Sequence, residues 1–365
     1  MLTDFSNLYL NGNWWLSGAY LDPPLHTLTY HFAYPPSSLP FLGLFAEFDF
    51  GTAAQLWITA SLVMFVAALL SVFFIVKPNR RYLFVSITAL LFFTSYPLQV
   101  ELQLGQINLL IASLTVLSLV TQRLNHRFVS ATLLAIGTLI KGPPALFLIY
   151  FVAFRRDLRY LVDFLTAMLA IVVLTFFFVP IQLYWYWIVN IVPTLFVSAG
   201  ATINESITGS VSLDGLAYLT PAILLAGFCT YALFAFYVNS RWLKGFEHSS
   251  LSADAMFLMN TLIILLLGSR SWPQDYVWVI LPAALFLSGL IIEDVKTAYF
   301  ALIVAGAFLF NLDTYPLFPY YFHPTISMIP TAVIGNLLMF SCLILFYLRN
   351  GAILQDRPRQ IRDRT

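Results

Sequence analysis

Charge is what this chain has least of. Only 10% of its 365 residues are Asp, Glu, Lys or Arg, against 60% hydrophobic residues and 34 phenylalanines, and its mean hydropathy is +0.84. A soluble domain of this length cannot hide that much apolar surface, so a water-soluble globular protein is excluded. Cysteine is nearly absent as well. Cys229 and Cys342 both lie in apolar runs, which leaves no basis for a disulfide framework or a metal cluster. The net charge is +1 and no basic tract stands out before the C-terminal tail, so nucleic acid is not an expected partner. The chain also lacks a Walker loop, a Rossmann fingerprint, metal-spaced His and Cys residues and a Ser–His–Asp arrangement. No internal repeat or low-complexity tract is visible.

What is present is a series of apolar runs. Measured against the ~20 residues a spanning helix needs, they give about eleven candidate membrane segments, at 52–76, 83–98, 107–122, 128–140, 143–154, 160–180, 216–238, 255–268, 276–291, 297–311 and 327–348. Several are short, and 128–140 with 143–154 reads as two half-crossings that meet at Lys141. The expected fold is an all-α integral membrane protein in which residues 1–365 form a single domain. Residues 1–51 would be a first extracytoplasmic loop, 52–348 the membrane segments and 349–365 a basic cytoplasmic tail.

Orientation follows from the bias of cytoplasmic loops towards Lys and Arg. With the C-terminus placed in the cytoplasm, all but two of the 18 basic residues fall on the inner side, Arg80 in the first inner loop among them. The two exceptions are Lys141 and Arg270. The outer face also carries Asp4, Glu101 and Asp275, and its larger segments are rich in Trp, Tyr and Pro.

The stretch from Gly105 to Pro144 organises the rest. Gln106 and Asn108 open one apolar run, Arg123 and Arg127 mark its inner turn, and Lys141 closes the next run against Pro143-Pro144. A lysine and two carboxamides at a membrane boundary cost free energy unless something there uses them. Lys141 has an alternative reading as a snorkelling lysine, and Gln106 and Asn108 have one as interhelical hydrogen-bond donors. Outer carboxylates, cations and aromatic faces are together what sugar transfer from a lipid phosphate requires. A carboxylate takes the proton of the attacking hydroxyl, cations neutralise the departing phosphate, and aromatic rings bind the apolar face of a sugar.

Four blocks carry a resemblance. Thr3-Asp4-Phe5 with Tyr9, Gly18-Ala19-Tyr20-Leu21-Asp22-Pro23 and Phe32-Ala33-Tyr34-Pro35-Pro36 come first. Tyr96-Pro97, Gly105-Gln106-Ile107-Asn108 and Gly137 to Pro144 follow. Asn204-Glu205-Ser206-Ile207 with Asp214-Gly215-Leu216 is the third, and Ser271-Trp272-Pro273 with Val277-Trp278-Val279 the fourth. In this order, over about residues 3–290, they resemble the GT87 glycosyltransferases, also described as DUF2029.

That resemblance implies a GT-C-like fold with large extracytoplasmic loops and a polyprenyl-phosphate-sugar-dependent transferase, often a mannosyltransferase. It implies single displacement with inversion, Asp4 as general base and no metal or other cofactor. Lys141 and Arg270 are the expected donor-phosphate contacts. Tyr34, Gln106, Asn108, Asn204, Asp275 and His323 are the substrate-binding candidates. The expected partners are the polyprenyl-phosphate sugar, a lipid or glycan acceptor and membrane lipids.

Two departures from the family pattern stand out. The family has a membrane helix before its Asp-Phe motif, and that first helix is expected to be missing here, which would leave Asp4 on a free terminus. Gln274-Asp275 stands where family members commonly have a histidine pair. The competing readings are an inactive relative that binds a lipid carrier and a transporter or flippase.

Overall fold

The computed structural model describes residues 3–17, 34–195, 217–242, 250–268, 271, 273–293, 297–312 and 331–362. They are helical, with no strand among the described residues. An apolar run in lipid has no water to satisfy its peptide groups, so it must pair them internally, and a helix does so with local bonds alone. Five helices are long and apolar enough to cross a membrane: Phe50–Ile75, Leu158–Thr175, Thr220–Val238, Ser250–Leu267 and Gln274–Ile292. Pro78–Thr94 and Tyr96–Leu104 make a sixth if they count as one broken span.

Where described, the eleven expected segments fall mostly on helix, and five of them coincide with a helix long and apolar enough to span alone. Asn108–Arg123 has 16 residues and Arg127–Ile140 has 14, which at 1.5 Å per residue gives rods of roughly 24 and 21 Å against a hydrocarbon core of ~30 Å. Composition marks where the chain is apolar, whereas turn residues decide how long each helix runs.

The described residues cluster into two compact units. The first comprises Met1–Ile75, Pro97–Ala145 and Leu158–Val197, and the second comprises Val76–Tyr96, Leu146–Asp157 and Ser198–Thr365.

In the first unit the described part of the N-terminal segment is largely helical. Thr3–Leu16 is an α-helix packed on a second one, Leu39–Ala46. Phe5, Leu8 and Asn11 face inward, at 1%, 3% and 6% exposure, a spacing of three that puts all three on one helix face. The two helices approach closely because glycine stands at both contacts. A Cβ on Gly12 would lie 2.8 Å from the Leu42 carbonyl oxygen, and one on Gly43 would lie 2.6 Å from the Trp15 ring. Phe5, Phe41 and Phe45 then pack around Trp57 of Phe50–Ile75 with ring centroids 5.0–5.9 Å apart. The Tyr9 hydroxyl donates to the Phe48 carbonyl at 2.8 Å, and the Trp15 indole donates to Phe178 at 3.2 Å.

Asn108–Arg123 and Arg127–Ile140 form a helical hairpin, turned by Asn125 at φ 64°. Its interior holds a small polar knot: the Ser118 hydroxyl lies 3.0 Å from those of Ser130 and Tyr160. In an apolar medium such contacts set the helix register, because a slip would leave each hydroxyl unpaired.

The second unit is organised around Ser250–Leu267, whose side chains are buried along nearly the whole helix. Phe147 and Tyr150 pack on its Phe257, and Phe147 stacks on Trp278. Arg80, expected in an inner loop, is instead 4% exposed. Its guanidinium donates to Asp254 at 2.7 Å and to the Ser288 hydroxyl at 2.9 Å. A cation at the first turn of Pro78–Thr94 thus has a carboxylate from a distant helix as its counter-charge, which charge counting along the sequence cannot detect.

Candidate active site

The open end of the hairpin in the first unit collects most of the sequence candidates. Tyr96–Leu104 stops at Gly105, which adopts φ 68°, a left-handed conformation that glycine takes without steric penalty. The amides of Gly105 and Gln106 both return to the Glu101 carbonyl, at 2.9 and 3.1 Å. The chain reverses there, and Asn108 starts the next helix.

This reversal presents Gln106 to Asp4. The Gln106 carboxamide nitrogen donates to Asp4 Oδ2, while its backbone carbonyl accepts from the Trp57 indole at 3.4 Å. Asp4 sits in the first turn of a helix pinned by Phe5 and Leu8. The expectation of a carboxylate on a loose terminus is therefore corrected: burial of the helix face behind Asp4 fixes its backbone, and Gln106 fixes its side chain. Asp4 and Gln106 are both half-buried, so the carboxylate keeps contact with the medium around it.

Two residues further on, Asn108 is fully buried and holds a second charged group. Its Oδ1 accepts from the Lys141 ammonium, and its Nδ2 donates to Glu101 Oε2 at 3.0 Å. The other Glu101 oxygen accepts the Leu109 backbone amide at 2.9 Å. Glu101 is 1% exposed. Its carboxylate lies at the N-terminus of Asn108–Arg123, where unpaired amides and the helix dipole favour negative charge. Lys141 reaches this point because Arg127–Ile140 ends there. Lys141 turns to extended backbone, φ −146° and ψ 109°, and the following Pro143 and Pro144 have no amide to continue an α-helical ladder.

A carboxylate and an ammonium are thus each held by a carboxamide side chain, on residues two apart whose Cα atoms lie no more than about 7.6 Å from one another. Tyr34 joins the same end. It is half-buried and precedes Pro36–Ser38, and the Ser37 hydroxyl there donates to the Leu139 carbonyl at 2.9 Å. Tyr184 comes to this end too. Burial raises its hydroxyl above the usual tyrosine range, against hydrogen bonds with Thr175 and Ser37. Nothing in the sequence pointed Tyr184 towards Ser37.

Asp275 is in the second unit, 7% exposed, at the start of the 3₁₀ helix Pro273–Val279. Ser271 of the same box donates to the Leu265 carbonyl at 2.7 Å and so ends the Ser250–Leu267 helix. Asn204, Arg270 and His323 lie outside the described residues. Glu101 is what sequence reasoning under-read. The sequence places it on the outer face, and the structure ties it to Lys141 through Asn108. Its signal was a lone carboxylate inside a short apolar run.

A family model for glycosyltransferase family 87 matches residues 32–269. The chain belongs to glycosyltransferase family 87. No curated protein and no solved structure matches it. Membership makes this chain a membrane glycosyltransferase that takes a sugar donor and an acceptor. The family match covers Tyr34, Glu101, Gln106, Asn108 and Lys141, and Asp4 lies before it.

Proposed function

We propose that the chain transfers a hexose, mannose in the first instance, from a polyprenyl-phosphate sugar to a lipid or glycan hydroxyl. Asp4 takes the proton of the attacking hydroxyl as its oxygen bonds to the anomeric carbon. The bond from that carbon to the donor phosphate oxygen breaks, and the Lys141 ammonium compensates the charge left on the polyprenyl phosphate. Attack opposite the leaving group inverts the anomeric centre, so a β-linked donor yields an α-linked product. The reaction needs no metal or cofactor.

One observation carries this reading: Asp4 and Lys141 are each oriented by a side-chain amide at the same hairpin end. A base and a phosphate-facing cation close together are what single displacement requires. The hairpin length supports it as well. Its helices are shorter than the bilayer core, so with Arg123 and Arg127 at the cytoplasmic interface the opposite end lies recessed in the outer leaflet. A prenyl chain in the membrane brings its phosphate to that depth. The lysine and arginine bias supports an extracytoplasmic position for this end and a cytoplasmic C-terminus.

The test is transfer in isolated membranes containing the full chain. Radiolabelled polyprenyl-phosphate mannose is compared with polyprenyl-phosphate glucose and with nucleotide sugars. Label passing from the prenyl mannose into an α-linked product is the expected result. Transfer from nucleotide sugars alone would overturn the donor assignment.

A further inference from the structure

The Lys141 ammonium meets Asn108 Oδ1, and the same carboxamide donates through Nδ2 to the buried Glu101 at 3.0 Å. A carboxamide is one acceptor and one pair of donors on opposite arms, so its orientation follows from whichever partner permits only one choice. An ionised carboxylate only accepts, and an ammonium only donates. Glu101 is held from both sides, since its second oxygen takes the Leu109 amide at 2.9 Å and its own carbonyl takes the amides of Gly105 and Gln106.

We infer that Glu101 is a positioning residue that sets the donor-phosphate cation of the transferase through Asn108, an assignment that rests on the reading of Lys141 as that cation. Glu101 touches no substrate. Its charge makes Asn108 turn its oxygen outward, and that oxygen draws Lys141 to the hairpin end. The Glu101 backbone simultaneously fixes the Gly105–Gln106 reversal that supports Asp4. One buried residue therefore sets the separation between base and cation, from its carboxylate on one side and its carbonyl on the other.

The relay has a specific signature, because it depends on which atoms donate. In Glu101→Gln, accepting the Leu109 amide leaves the new NH₂ group facing the Asn108 NH₂ group. Asn108 must flip, and it then points a donor at Lys141. Adding Asn108→Asp exchanges acid and amide. The introduced amide then donates to the introduced carboxylate, whose other oxygen accepts Lys141, so every bond in the relay is kept with one reversed in direction.

The experiment measures binding of a polyprenyl monophosphate to the purified full chain in lipid nanodiscs, alongside thermal melting. Lys141→Ala is expected to weaken binding at least tenfold. E101Q should approach that loss, and E101Q/N108D should return to within about threefold of the wild type. In membranes, E101Q should raise KM for the prenyl-phosphate sugar more than it lowers kcat, and the exchange should reverse that change. Unchanged binding in K141A would sink the phosphate assignment itself. Weak binding in K141A with normal binding in a folded E101Q would sink the Glu101 relay alone. If E101Q does not fold, the exchange decides. Normal binding supports the relay, whereas a folded exchange that binds as poorly as K141A, or one that fails to fold, overturns it.

Discussion

Asp254 and Arg80, 174 residues apart, form an ion pair at 2.7 Å with side-chain exposures of 0% and 5%. A buried charge without its partner retains its desolvation penalty and loses the compensating attraction. Asp254→Ala should therefore destabilise the protein by about 3–5 kcal/mol, and replacing both residues with leucine should cost far less. Thermal melting of the two variants in detergent checks this. Equal losses would mean the pair is not the source of the effect.

Asp4→Asn preserves an oxygen for the Gln106 amide to reach, so the fold should survive. Transfer should fall by roughly 10² to 10⁴, the usual contribution of a positioned base. The comparison is rate against melting temperature in the same preparation. A variant as active as the wild type removes Asp4 from the chemistry.

Gly105 turns the chain at φ 68°. Alanine there should cost about 1–2 kcal/mol, the penalty of left-handed backbone for a residue with a Cβ, and activity should drop because Gln106 and Asn108 follow directly. Asparagine, which tolerates this conformation better, should recover part of both. Alanine and asparagine variants that melt and react alike would contradict the turn assignment.

The crossing of Thr3–Leu16 over Leu39–Ala46 depends on Gly12, where an added Cβ meets the Leu42 carbonyl oxygen at 2.8 Å. Backbone cannot swing aside as a flexible side chain can. Gly12→Val should cost about 1–3 kcal/mol through overpacking and should displace the helix that holds Asp4. Hydrogen exchange of residues 3–16 would register the loosening, and protection equal to wild type would refute it.

Asp49 precedes Phe50–Ile75 and accepts the Thr52 amide at 3.1 Å. Hydrogen bonds from Thr52, side chain first and then backbone, hold its carboxyl below the ordinary value of 3.8. A lowered acid pKa stabilises the fold above the unfolded value, and the contribution disappears as pH falls through the folded value. Asp49→Ala should therefore lower the melting temperature at pH 7, with the gap from wild type closing below about pH 4. A gap that stays constant down to pH 3 would show that the carboxylate charge is not involved.

Class was legible without coordinates because lipid leaves an apolar run little choice but helix. The polar corners were legible for a related reason: Gln106, Asn108 and Lys141 stand out in surroundings where polar groups are rare. Helix lengths were less accessible, since Gly105 and the Pro143-Pro144 pair cut apolar stretches into pieces that hydropathy reads as longer. The N-terminal helix was missed because its pattern is weak, with Asn7, Asn11 and Asn13 among the aromatics, and tertiary burial of Phe5 and Leu8 supplies what periodicity did not show.

The sequence by itself determined that this is a helical membrane protein with a charged, amide-rich hairpin end, since solvation by lipid acts on each segment locally. Only the tertiary structure decided that Asp4 meets Gln106, that Glu101 is buried and tied to Lys141 through Asn108, and that Arg80 pairs with Asp254. Those contacts join residues that are distant in the chain or separated by a turn. They exist because glycine contacts and helix ends bring polar groups together where each must find a partner or remain desolvated.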